Sequence, residues 1–162
     1  MIVLASIFAV LAICAFIVMN FAFSNAGNGI FNEEIYSFEK INLRISGMRL
    51  TSEYEIINKG EKTEISLYYM SYAAGEKERI LEKIAETETN EFIEFLNFCN
   101  FGGWNGFCGK HPKGVLDGTM FELNAVINGE EILRAEGSEN FPKGYRDFVK
   151  ELERLINGGE PE

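Results

Sequence analysis

Residues 2 to 23, IVLASIFAVLAICAFIVMNFAF, are apolar except for Ser6 and Asn20. As a helix this run would be about 33 Å long at about 1.5 Å per residue, enough to cross a hydrocarbon core of about 30 Å. After it the pattern breaks into short periodic segments. Ile41, Leu43 and Ile45 alternate with Asn42, Arg44 and Ser46, which predicts a half-buried strand ending near Gly47. Tyr54 and Ile56 mark a second strand that stops at Asn58-Lys59-Gly60, and Ile65, Leu67 and Tyr69 mark a third. This spacing predicts a meander with Lys59-Gly60 as a hairpin turn.

Residues 76 to 88, EKERILEKIAETE, fit two readings. Ile80, Leu81 and Ile84 have helical spacing among good helix formers, and a strand over 79 to 86 fits as well. Residues 89 to 99 are helical: Phe92, Phe95, Leu96 and Cys99 share one stripe, Thr89 is placed to cap it, and Glu91 suits its positive end. In residues 119 to 137, Phe121, Leu123, Ala125 and Ile127 share one strand face. Asn128-Gly129 then supplies the two positive φ angles of a type I′ hairpin turn, and Leu133 and Ala135 resume period two. Residues 145 to 156 place Tyr145, Phe148, Val149, Leu152, Leu155 and Ile156 on one helical stripe that ends at Gly158-Gly159. Burying that stripe is worth on the order of 10 kcal/mol before entropy, so this helix belongs to the core. The order predicts an α+β domain: an antiparallel sheet, built from a meander and a C-terminal hairpin, packed by two or three helices. The expected organisation is a transmembrane or signal segment at 1–23, a Gly- and Asn-rich linker at 24–35, one extracytoplasmic domain at 36–158 and a tail at 159–162.

The apolar run is expected to be an uncleaved membrane anchor. A cleaved signal peptide is the alternative, with small residues at Ser24 and Ala26 giving a secreted product. A lipoprotein signal at Leu11-Ala12-Ile13-Cys14 fits less well, because Ile13 is bulky and apolar sequence continues past Cys14. No Lys or Arg precedes Lys40, and Glu33 and Glu34 flank the run, so the domain is expected outside the cytoplasm. The formal net charge is −10, carried by the part after the run. That balance argues against nucleic acid as a partner. The acids are almost all Glu, and Asp-x-Asp calcium loops are missing.

Candidate chemistry gathers in CNFGGWNGFCGKHPKGVLDG, residues 99 to 118, which holds the single Trp, the single His and two of the three Cys. Outside the cytoplasm an isolated pair such as Cys99 and Cys108 is expected to form a disulfide, worth about 2.5–3 kcal/mol for so short a loop. The spacing lacks the Cys-x-x-Cys arrangement that activates a thiol. A thiol enzyme using Cys99 or Cys108 with His111 is an alternative, because every His-dependent arrangement must run through His111. No metal site is expected, since a closed one needs four ligands, and no cofactor motif or phosphate-binding loop occurs. Phe101, Trp104 and Phe107 alternate with glycines, which let large rings fold under the loop. Two readings stand: the rings are scaffold, or Trp104 is a platform for a glycan, a small ligand or an envelope protein. The candidate binding set is Trp104, Asn105, Phe107, His111 and Asp117.

Trp104-Asn105-Gly106-Phe107, then Leu116-Asp117-Gly118-Thr119-Met120-Phe121-Glu122-Leu123, Ala135-Glu136-Gly137 and Phe141-Pro142-Lys143-Gly144-Tyr145, form a signature over about the last 60 residues. It resembles a group of uncharacterised bacterial exported proteins and lipoproteins. The resemblance implies location and fold and carries no assigned activity. The group commonly has Asp where this chain has Asn105 and Cys108. Without the group, the signature reads as a packing code: Asp117 bonds the turn before the hairpin, Phe141-Pro142 aims the last helix, and Trp104 packs where these pieces meet. The expected function is a binding or structural role at the cell envelope.

Overall fold

The computed structural model describes residues 34–48, 50–73, 76–129 and 131–158. The expected anchor or signal at 1–23 and most of the linker lie outside these residues. Among the described residues no helix is long and apolar enough to cross a membrane.

Four strands come first: β1 (Phe38–Ser46), β2 (Thr51–Asn58), β3 (Lys62–Ala73) and β4 (Glu76–Glu88). They form the expected antiparallel meander, with Gly60 at φ 101° in the β2–β3 turn. The ambiguous segment 76–88 is β4. Its register lays Ile80 against Tyr69 and Ala85 against Ile65, so cross-strand packing overrides the helix propensity of its Glu, Lys and Leu residues. Helix α1 (Thr89–Phe98) follows, then a short 3₁₀ turn at Phe101–Trp104 and the two-residue strand β5 (Cys108–Gly109). Strands β6 (Met120–Ile127) and β7 (Glu131–Ser138) form the expected hairpin, and α2 (Tyr145–Ile156) closes the domain. Asn128 and Gly129 both have positive φ, as the hairpin turn needs.

All seven strands join one sheet in the order β4-β3-β2-β1-β6-β7-β5, antiparallel except for β5 against β7. The inward-facing residues Ile41, Leu43, Tyr54, Ile56, Ile65, Leu67, Phe121, Leu123, Leu133 and Ala135 are buried under the two helices. From above, α1 contributes Phe92 and Leu96, and α2 contributes Tyr145, Phe148, Leu152 and Ile156. Phe95 and Phe148 stack with ring centres 6.1 Å apart, locking the helices to each other. Among the described residues the helices cover this face only; the other face of β1, β2, β6 and β7 is mostly polar, with Ile57, Met120, Val126 and Ile132 as its apolar members.

Two local expectations are corrected. Thr89 does not cap α1: its hydroxyl lies 3.1 Å from that of Thr63, both buried, and Glu88 holds the cap position with no side-chain bond. Asp117 makes no hydrogen bond among the described residues. Instead Glu139 accepts the Thr119 N–H at the start of the hairpin.

Candidate functional site

The loop after α1 is held by its aromatic rings. Trp104 is 1% exposed. Its ring centre lies 4.8 Å from that of Phe101, 5.9 Å from Tyr145 and 5.5 Å from Phe148. Its Nε1–H donates to the Lys143 carbonyl at 2.9 Å, tying the loop to the turn that launches α2. The indole therefore has no face open to solvent, and a stacking platform at Trp104 would require the loop to lift off the core. Phe107 is half-buried, with its ring 6.2 Å from Phe121. Asn105 is exposed, but its Oδ1 accepts the Arg134 N–H at 3.3 Å, while Gly106 N–H donates to the Arg134 carbonyl at 2.8 Å. These bonds lay the loop along β7 as an extra edge.

The expected disulfide is absent. Cys99 and Cys108 are free thiols, one buried and one exposed. The sheet explains this. Cys99 ends α1 inside the core on the helix side. In β5 the pleat turns Phe107 toward that side and Cys108 toward the other, where its thiol donates to Glu136 Oε1 at 3.5 Å. Burial, reinforced by the charges of Asp147 and Glu151, pushes the Cys99 thiol from 9.0 to about 12. That removes it as a nucleophile near neutral pH.

His111 is not brought to either thiol as a base. Its Nε2–H donates to the Val115 carbonyl at 2.8 Å, and its Nδ1 accepts from the Ser138 hydroxyl at 2.7 Å in the matching tautomer. The first bond closes the loop on itself, and the second ties it to the end of β7. Asp117 stays exposed on that loop. Among the described residues no three His, Cys, Asp or Glu side chains are gathered as a metal site.

What the fold leaves open is the second face of the sheet. Register places Cys108, Glu136, Glu122, Arg44, Glu53, Tyr68 and Leu81 in one row across all seven strands. Arg44 Nη1 is 3.9 Å from Glu122, and its Nε is buried with no hydrogen-bond partner. Further along, Arg79 reaches back over the Tyr68 ring, 3.4 Å from its centre, to Glu53 at 2.8 Å. Glu55, in the next row opposite Asn42, pairs diagonally with Lys40, and this hydrogen bond, with help from Arg79, holds the Glu55 carboxyl below the usual range. A depression of about 440 Å³ opens over Arg44, Ser46, Cys108, Glu122, Glu136 and Ser138. A second, of about 310 Å³, shares Cys108, Glu122 and Glu136 with it. Glu122 and Glu136 sit directly opposite each other, two acids on neighbouring strands, with Arg44 3.9 Å from Glu122, the Cys108 thiol on Glu136, and Arg134 lining the second depression beside them. Like charges so placed repel, so the pair is ready to accept a cationic or hydrogen-bond-donating group.

Comparison with family models, with curated proteins and with solved structures returns no match for this chain. Sequence reasoning missed Arg44, Glu122, Glu136 and Ser138 as a group. The signal was present: these are the polar positions of the same period-two strands whose apolar positions predicted the core. Alone they read as solvated residues, and only the strand order sets them side by side.

Proposed function

We propose that this chain is an envelope-tethered binding domain that presents the open face of its sheet, around Arg44, Glu122 and Glu136, to a partner outside the cytoplasm. The observation that carries this reading is the one-sided coverage of a seven-stranded sheet. Trp104 and Cys99 of the 99–118 loop are buried in the core, whereas the open face carries two adjoining depressions around the Glu122–Glu136 pair. The apolar run at 2–23, the acidic composition and the resemblance to exported proteins support the location. The carboxylate pair suits a partner rich in donors, such as a basic peptide segment of an envelope protein or the amino and hydroxyl groups of a glycan.

Cys108 is a native handle for the test, because it is exposed and lies in the depression. A membrane-impermeant maleimide carrying a photoreactive arm is applied to intact spheroplasts expressing the full chain. The expected result is labelling without lysis and, after illumination, a discrete adduct. Both should vanish in Cys108→Ser. In Glu122→Lys/Glu136→Lys the labelling should persist while the adduct is lost. Labelling only after lysis refutes the location, and an adduct indifferent to the two Lys substitutions refutes the surface.

A further inference from the structure

Strand β4 ends the sheet, and among the described residues no strand covers its outer edge. It runs for 13 residues, about twice the common strand length. Natural proteins guard such edges with proline, short length or charge. β4 contains no proline, and its Ile80, Leu81 and Ile84 are 43%, 48% and 55% exposed. Its charges are of both signs in each half: Glu76, Lys77, Glu78 and Arg79 in the first, Glu82, Lys83, Glu86 and Glu88 in the second. We infer that β4 is the interface with a second copy of this chain, the two strands pairing antiparallel about a two-fold axis normal to the sheet.

A bulge fixes the register. Leu67 pairs with Lys83 but Tyr68 pairs with Leu81, so Glu82 is skipped. The skip changes which residues face the open side: Arg79 and Leu81 before it, Ile84 and Glu86 after it. Opposed residues of an antiparallel pair share a face, and a two-fold normal to the sheet keeps both open faces on one side. The first half of one β4 must therefore meet the second half of the other. Leu81 then lies opposite Ile84 of the second copy, Arg79 opposite its Glu86, Ile80 opposite its Ala85 and Lys83 opposite its Glu82. A shift of two residues either way sets Leu81 against a Glu. The charges that would guard this edge against unrelated strands are complementary to themselves at this one register. The two open faces become one continuous surface, which makes the dimer independent of what that surface binds.

Paired charge reversals test both the dimer and its register. The measurement is the sedimentation mass of the full chain in detergent micelles. The wild-type chain should be dimeric. Arg79→Glu alone should place Glu against Glu86 twice, and Glu86→Arg alone should place Arg against Arg79 twice. Each should weaken the dimer by about tenfold or more. Arg79→Glu also loses its contact with Glu53, whereas Glu86 is in no ion pair among the described residues, so loss in both variants does not come from a damaged fold. An equimolar mixture of the two variants restores both charge pairs and should form a heterodimer of wild-type affinity. A monomeric wild-type chain, a dimer indifferent to both reversals, or a mixture no tighter than either variant alone overturns the inference.

Discussion

Trp104→Ala removes the side chain on which the loop, the 3₁₀ turn and α2 converge. The indole is 1% exposed, packs against Phe101, Tyr145 and Phe148, and donates to the Lys143 carbonyl at 2.9 Å. Truncating a buried large aromatic costs about 3–5 kcal/mol, because the cavity closes only in part. Whole domains are stable by about 5–15 kcal/mol, so the variant should lose roughly a fifth or more of its stability. Trp104→Phe keeps most of the ring but leaves the Lys143 carbonyl without its donor, at about 1–3 kcal/mol. Urea unfolding of the full chain in mild detergent, followed by far-UV circular dichroism, measures both; fluorescence cannot, since the only Trp is gone. The expected order of midpoints is wild type, then Phe, then Ala, with an unchanged denaturant slope. An Ala variant within about 1 kcal/mol of wild type would refute the scaffold role and return Trp104 to candidacy as a binding platform.

Two further outcomes follow from the same core. Gly144 has φ 86°, and a Cβ there would meet the Cys99 carbonyl oxygen at 2.1 Å; Gly144→Ala should cost at least about 1–3 kcal/mol from backbone strain alone, read as a lowered melting temperature. Burial, the largest cause in each case, raises Cys99 from 9.0 to about 12 and Tyr54 from 10.0 to about 12, and raises Tyr145 as well. The folded state thus holds these protons more tightly than the unfolded chain, which releases them first. Stability is complete below pH 9.0 and falls as pH rises toward about 12, with a slope approaching about 1.4 kcal/mol per pH unit for each group. Cys99→Ala should delay the onset of that fall from about 9.0 toward 10.0, where Tyr54 takes over; urea titrations across the alkaline range check it.

Elements with strong periodicity were legible. The first three strands, the Asn128-Gly129 hairpin, α1 and α2 all follow from apolar spacing, because each has one buried face and one wet face. For Trp104 the sequence left scaffold and binding platform both open, and only its contacts with Tyr145 and the Lys143 carbonyl decide for scaffold. Segment 76–88 was not legible, since a strand at the sheet edge is wet along most of its length and shows no clean alternation; only Tyr69 and Ile65 on β3 decide it. The disulfide was misread for a related reason. Spacing along the chain says that Cys99 and Cys108 are near in sequence, but not that a sheet will stand between their side chains. The Arg44–Glu122–Glu136 row needed the pairing of β1 with β6, a long-range fact that no local pattern encodes.

Strand β1 sits in the middle of the sheet, yet it is the first strand made. Ile41 pairs with Ala125 and Leu43 with Leu123, far along the chain, and Phe148 and Leu152 complete the core later still. Contacts so distant form slowly, because a long loop must close before they contribute. A chain emerging end-first, from a ribosome or through a secretion pore, has only the β1–β4 meander and α1 until β6 arrives, and the part of the apolar face that α2 later covers is still exposed. Cooperative folding must therefore wait for nearly the last residue. On the export proposed above, strand order would act as a timer, holding the domain loose enough to thread a translocation channel and letting it set only once the C-terminus is through.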